Sequence, residues 1–345
     1  MVFRFLLVAV GLLPALAWGL DADALREDAP SVYTVKKGDT LWDIAGKFLH
    51  SPWRWPELWD RNPYISNPDL IYPGDRLRLS MVNGEPRLSR QKVERLSPEV
   101  ASAPAERLEA ITTVDRSVVL PYIDRYGLLP ADQDPATVGG RLVTGQTERV
   151  MYATGDQVFA RLDGGDDPAT EWYTFSDPQP VRGVAEDRHL GYLVEHTGLV
   201  TVEGPADGEL YSARVERTYA PIRRGDHLYP GRAAAAKTRF LPKPAPPVAG
   251  RILRHVGEES MLGQGQMVVL DLGARDRLER GHVLQVRDHP RQVSDPQSGK
   301  TSTIQGRRKG TLLVIQTSER LSFALIMENT RPIARGDRVR QPETE

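Results

Sequence analysis

Four of the chain's six tryptophans fall between Tyr33 and Leu79, and this stretch constrains the fold more than any other. It opens Tyr33-Thr34-Val35-Lys36-Lys37-Gly38-Asp39-Thr40-Leu41-Trp42-Asp43-Ile44-Ala45 and closes Asn67-Pro68-Asp69-Leu70-Ile71-Tyr72-Pro73-Gly74-Asp75-Arg76-Leu77-Arg78-Leu79. Tyr33 to Val35 is a β-branched and aromatic run ended by a glycine turn, the pattern of a short strand. Thr40 is a good N-cap, and Asp43 three positions on can reach back as in a capping box. Leu41, Ile44, Ala45 and Phe48 recur at i, i+3, i+4 and i+7, the inward face of a short helix. A second helix is expected to start near Pro52 or Pro56, where proline suits the first turn, and to end before Asn62-Pro63. Leu77 and Leu79 alternate with Arg76 and Arg78, a half-buried closing strand. The result is a β-α-α-β module of about 47 residues, a marginal core for a free-standing domain. Trp53, Trp55 and Trp59 read first as additions to that core, and second as an extra stacking face.

Both ends of this stretch resemble the LysM family, whose members bind glycans containing N-acetylglucosamine, such as peptidoglycan and chitin. The resemblance implies a shallow groove between the first strand–helix loop and the loop before the last strand. By position, Gly38, Asp39, Thr40 and Leu41 would form one wall and Pro68, Asp69, Leu70, Ile71 and Tyr72 the other. Loop amides and carbonyls there could pair with an acetamido group while Leu70 or Ile71 touches its methyl. Gly38, Thr40 and Pro73-Gly74 are equally accounted for by turn and cap geometry alone.

The first nineteen residues read as a secretory signal: one early charge at Arg4, an apolar run from Phe5 to Leu16, and small residues at Ala15 and Ala17. Cleavage after Ala17 or after Gly19 fits. That run is too short to span a bilayer and no later segment is longer, so direct membrane insertion is not expected. The absence of cysteine rules out lipidation at a cysteine, disulfides and a cysteine nucleophile. In an exported chain the LysM resemblance implies the periplasm, against the cell wall, and the family resemblance given below adds the outer membrane. Lys+Arg 45 against Asp+Glu 46 leaves no basic stripe for nucleic acid. Arg307-Arg308-Lys309, the densest basic cluster, reads beside Gly306 and Gly310 as a solvated turn.

The remainder reads as mostly β. Residues 32–80 form the module, 81–112 a polar, proline-bearing linker with a short helix near Glu106 to Ala110, 113–240 a first β-rich module and 248–341 a second. The fold class is α+β, a βααβ module followed by tandem small β-barrels or sandwiches. Pro221-Ile222-Arg223-Arg224-Gly225-Asp226 and Pro332-Ile333-Ala334-Arg335-Gly336-Asp337 coincide at an offset of 111 residues, as do Ala213 and Ala324. Gly155 to Arg161 parallels Gly281 to Arg287. Together these point to an internal duplication, although Gly-Asp turns before strands also recur by chance.

The order of parts resembles the secretin-associated protein family of type IV pilus systems. Leu120-Pro121-Tyr122-Ile123, Gly191-Tyr192-Leu193-Val194, Arg280-Gly281-His282-Val283-Leu284, Arg320 to Ile326 and Pro332 to Val339 carry that resemblance. It implies a peg that grips peptidoglycan at one end and an outer-membrane secretin at the other.

No catalytic or metal constellation is evident. The seven histidines have neither His-Glu-x-x-His spacing nor a paired cluster, and Asp187, His189 and His196 read as ordinary surface or hydrogen-bonded residues. Asp163-Gly164-Gly165-Asp166-Asp167 reads as a hairpin turn, and Ser89-Arg90-Gln91-Lys92 lacks the companion motifs of a Ser-x-x-Lys enzyme. The sequence therefore predicts a non-catalytic periplasmic adaptor, with no cofactor and no metal. The alternatives are a peptidoglycan hydrolase whose carboxylate pair is assembled only by the fold and a wall-anchored flagellar accessory protein.

Overall fold

The computed structural model describes residues 20–59, 71–91, 110–163, 170–231, 240–257, 262–294, 296–304 and 306–343. The signal segment 1–19, the 106–109 part of the expected linker helix and the 164–167 turn lie outside the described residues. Within these ranges no helix is long and apolar enough to cross a membrane.

The module is built from β1 (Val32–Thr34), α1 (Leu41–Phe48), a 3-10 turn over Pro52–Arg54 leading into α2 (Trp55–Trp59), and β2 (Arg76–Val82). β2 pairs antiparallel with β1 and also with β3 (Glu85–Gln91). The sequence predicts a linker from residue 81, but its first part is this third strand. The departure has a local cause: Asn83 and Gly84 both adopt positive φ, 55° and 84°, as a two-residue hairpin turn requires. The inward face expected of α1 is buried, with Ile44, Ala45 and Phe48 at 0% exposure. Trp55 and Trp59 are core residues packed edge to face at 6.1 Å. Trp53 is buried too, but with Trp42 it faces away from the module into a different apolar cluster.

After α3 (Arg116–Arg125) and β4 (Tyr126–Pro130), the chain is a succession of strands that pair antiparallel, with one short parallel pairing at Lys243–Pro244. The first group comprises β5 (Gly140–Gly145), β6 (Met151–Tyr152), β7 (Gln157–Leu162), β8 (Glu171–Phe175), β9 (Gln179–Arg182), β10 (His189–Pro205), β11 (Leu210–Thr218), β12 (Ile222–Arg223) and β13 (His227–Pro230). The second comprises β14 (Lys243–Pro244), β15 (Ala249–His255), β16 (Met267–Leu270), β17 (His282–Arg287), β18 (Arg291–Ser294), β19 (Thr301–Ile304), β20 (Arg308–Thr317), β21 (Ser322–Asn329) and β22 (Arg338–Arg340). In the first group β5, β7, β11, β10, β8 and β13 pair in that cyclic order, and β13 returns to β5. In the second, β15, β16, β21, β20, β17 and β22 do the same, with β22 returning to β15. Both are closed six-stranded barrels, and closure removes the free edges that an open sheet would expose.

Counted in chain order within each barrel, the strands pair 1-2-5-4-3-6 in both. The same backbone bonds recur. Gly225 N–H donates to Leu142 C=O at 2.9 Å and Leu142 N–H to Asp226 C=O at 2.8 Å; Gly336 donates to Ile252 at 2.7 Å and Ile252 to Asp337 at 3.0 Å. Gly225 and Gly336 sit at φ 91° and 88°, a region costly for any residue with a Cβ. The duplication is therefore architectural, but one expected correspondence is corrected. Gly155 precedes the second strand of its barrel, whereas Gly281 precedes the third. Its structural counterpart is Gly265: Gly155 N–H donates to Val215 C=O and Gly265 N–H to Ile326 C=O, both at 2.8 Å.

The strands of the second barrel are buried on both faces. Val268, Leu270, Leu284, Leu312, Val314, Ala324 and Ile326 fill its interior. The alternate residues Val269, Val283, Leu313, Ile315, Phe323 and Leu325 point outward into a second cluster. That outer layer is covered by Val119 and Ile123 of α3, Leu128 of β4, Val181 of β9 and Leu193 of β10, joined by Trp42 and Trp53 of the module. Two-sided burial explains the continuous apolar run Leu312-Leu313-Val314-Ile315.

One residue of the basic cluster is corrected. Lys309 lies in β20 and is buried, donating through Nζ to Asp337 Oδ2 at 2.6 Å. At the matching place in the first barrel, the Thr197 hydroxyl donates to Asp226 Oδ2 at 2.9 Å. Each barrel thus ties its Gly-Asp turn to a neighbouring strand by a buried polar contact, neutral in one case and charged in the other.

Candidate functional site

Two matching turns shape the module's groove. In the first, Gly38 is at φ 93° and the Asp39 carboxylate accepts from Lys36 N–H and from the Tyr33 hydroxyl, both at 2.8 Å. Burial, then the Asp39 hydrogen bond, pushes the Tyr33 hydroxyl up to about 12, so it stays protonated as the donor. In the second, Gly74 is at φ 95° and Asp75 Oδ2 accepts from Tyr72 N–H at 3.0 Å. Gly74 N–H donates to Val35 C=O at 2.8 Å and Val35 N–H to Asp75 C=O at 2.9 Å, which locks the two turns together behind the groove.

Thr40 opens α1 with the expected capping box. Its Oγ1 accepts from Asp43 N–H at 3.1 Å, while Asp43 Oδ2 accepts from Thr40 N–H at 3.3 Å. An Asp at this position serves where Glu or Gln is usual.

The side chains of the expected walls are not equally available. Gly38 is exposed, and Asp39 and Tyr72 are half-buried. Thr40, Leu41 and Ile71 are buried, at 8%, 1% and 0% exposure. Leu41 and Ile71 belong to the module's core, so only their backbone groups can face a ligand. Pro68, Asp69 and Leu70 lie outside the described residues.

Those backbone groups have partners from elsewhere in the chain. Ile111 N–H donates to Ile71 C=O at 2.9 Å, Leu41 N–H donates to Thr112 C=O at 2.9 Å, and Trp42 N–H reaches Thr113 C=O at 3.4 Å. The first N–H groups of a helix have no partner within it, and here residues 112 and 113 supply one. Sequence reasoning placed residues 111 and 112 in a linker and did not anticipate this contact. The one available signal was the apolar pair Ile111 and Val114 closing an otherwise polar stretch.

Beyond the groove, a strongly perturbed titratable group is His196 of β10. It is buried against Tyr173, with ring centroids 4.1 Å apart. Its Nδ1–H donates to Asp124 C=O at 2.6 Å, and the Tyr229 hydroxyl donates to Nε2. Burial lowers it to about 4. Both ring nitrogens are engaged within the fold, so His196 offers no free lone pair for a metal or a proton transfer. Among the described residues no group of three or more His, Asp and Glu could hold a metal ion.

Comparison with known proteins agrees with the site's geometry at the module alone. The chain is 41% identical over 63 residues to the uncharacterized protein YqbP of Bacillus subtilis (strain 168), a match covering 15% of this chain and 29% of that protein. The LysM domain model matches residues 33–80, the span from β1 into β2 that carries both Gly-Asp turns and the capping box. This chain therefore carries a LysM domain at residues 33–80, a type of domain that binds N-acetylglucosamine-containing glycans such as peptidoglycan.

Proposed function

We propose that this chain is a non-catalytic adaptor of the periplasm that holds peptidoglycan through its LysM domain and presents its paired barrels to an outer-membrane protein assembly, a type IV pilus secretin. The observation that carries the glycan half is the LysM match over residues 33–80. A periplasmic location is supported by the apolar run from Phe5 to Leu16 and by the absence of cysteine. A binding role for the barrels is supported by their closed, apolar interiors and by the engagement of His196 in fold-internal hydrogen bonds.

The secretin half rests on the motif resemblance. Much of that set is buried: Ile123, Leu193, Val194, Leu321 and Phe323 are 0–8% exposed. Such residues specify the body of the protein and leave the partner-facing surface to the exposed positions around them.

The test uses the full mature chain. It is expected to co-sediment with purified peptidoglycan sacculi, to give no lysis band on cell-wall gels, and to recover a secretin from envelope extracts. A lysis band would transfer the case to a hydrolase. Recovery of flagellar components would keep the adaptor and change its partner.

A further inference from the structure

We propose that residues 111–113 form an internal strap seated in the LysM groove, and that glycan binding requires its release. This inference rests on the glycan reading of the LysM domain and adds regulation to it.

The strap bridges both walls. Its contacts are the Ile71 carbonyl on one side and the Leu41 and Trp42 amides on the other. A ligand bearing an acetamido group has one N–H and one C=O to place, and it would look to the same acceptor and the same donors. Each amide has a single hydrogen to give, so at Leu41 and Trp42 occupancy by the strap and by such a sugar is mutually exclusive.

The strap is anchored at both ends. The Ile111 side chain is 7% exposed and packs into the module's own core. The Thr113 hydroxyl donates to Phe240 C=O at 2.5 Å, the residue that leads toward β14. Val114 joins Trp42 and Trp53 in the apolar layer on the outside of the second barrel. Asp115 then caps α3, its Oδ1 accepting from Ser117 N–H at 2.8 Å. The strap is thus continuous with the packing between the LysM domain and the barrels. A force or partner that separates the domain from α3 and Phe240 would draw residues 112 and 113 off the Leu41 and Trp42 amides and pull against the Ile111 anchor.

A site open for only a fraction of the time binds with its intrinsic affinity reduced by that fraction. Coupling is reciprocal, so a glycan in the groove weakens the docking of the LysM domain on the barrels by the same factor. Wall attachment and extension of the molecule become a single event.

The test uses the full mature chain and chitotetraose, an N-acetylglucosamine tetramer, titrated by calorimetry. Ile111→Pro removes the N–H that Ile71 C=O accepts. Thr113→Val removes the hydroxyl bond to Phe240 and leaves Ile111 in place, so it serves if the proline variant misfolds. Amide exchange at Leu41 and Trp42 reports whether the strap is seated. Release of those amides together with affinity about tenfold above that of the unaltered chain is the expected result, the gain corresponding to one lost backbone bond. Equal affinity in all three proteins, with Leu41 exchange accelerated in the variants, would overturn the strap while leaving the glycan reading intact. Absence of binding in all three, with Leu41 released, would overturn the glycan reading itself and with it the strap's regulatory role.

Discussion

Replacing His196 by glutamine should remove an acid sensitivity built into the first barrel. The imidazole sits where β10 changes partners. Its early residues, 191–195, pair with β4, its later ones with β8 and β11, and a register shift falls between His196 and Gly198. A neutral ring matches the surroundings, because Nδ1–H donates to Asp124 C=O and Nε2 accepts from the Tyr229 hydroxyl. Protonation would add a hydrogen on Nε2 facing a hydroxyl that already donates there. Burial accordingly lowers the folded value to about 4 from 6.5. The sign follows from linkage. The unfolded chain binds this proton from about pH 6.5 downward and the folded chain only near pH 4. Stability from this group is therefore fully present above pH 6.5 and is lost as pH falls toward 4. Between pH 7 and pH 5 the loss is about 2 kcal/mol. Asp124, raised by burial against the opposing Arg217, acts in the opposite sense at lower pH, so the comparison with the variant isolates the histidine. Native-state amide exchange along β8 and β10, corrected for intrinsic rates, measures the local free energy. The unaltered protein should lose about 2 kcal/mol more over that interval than His196→Gln, which should start lower and keep only the smaller slope left by His227, lowered by burial beside β8. An equal slope in both proteins, or an NMR titration placing His196 near 6.5, would refute the argument.

Three further outcomes are expected. Lys309→Met should strand the buried Asp337 carboxylate and lower stability by about 3–5 kcal/mol, seen as a reduced midpoint of denaturant unfolding; a change below about 1 kcal/mol would show that the pair is solvated. Ile71→Arg should unfold the LysM domain, since the side chain is 0% exposed and an unpaired charge there has no compensation; a folded variant by near-ultraviolet circular dichroism would contradict the burial. Protein recovered from the periplasm should begin at Trp18 or Leu20 by mass spectrometry, and an intact Met1 would remove the export reading.

Much of the LysM domain was legible because its determinants are local. A glycine that must take positive φ, an aspartate three residues from the amide it accepts, and a threonine capping its own helix all lie within a few positions of their partners. The tryptophans were legible as core, but not the division that sends Trp55 and Trp59 inward and Trp42 and Trp53 toward the barrel. That division depends on what lies across the module's other face. The third strand, β3, was missed because its polar residues, Arg87, Ser89 and Arg90, read as linker; backbone pairing with β2 does not need an apolar face.

The duplication shows where sequence comparison stops. Pro221 to Asp226 and Pro332 to Asp337 announced it by identity, but the proposed match of Gly155 to Gly281 failed. Similar Gly-turn-strand patterns precede several strands, and only the pairing order distinguishes the second strand of a barrel from the third. Lys309 looked solvated because its partner Asp337 is 28 residues away in sequence.

Elements with short-range causes are legible in the residue order alone: the turns, the helix cap, the alternating strands, and the cysteine-free chemistry that removes disulfides and thiol catalysis. Tertiary structure alone decided the closure of two barrels in one strand order, the apolar layer joining LysM domain to barrel, and the seating of residues 111–113 against Leu41 and Ile71. These last contacts are made by backbone N–H and C=O groups, which every non-proline residue carries alike. They leave no mark in the identity of the residues, and only the path of the folded chain brings them together.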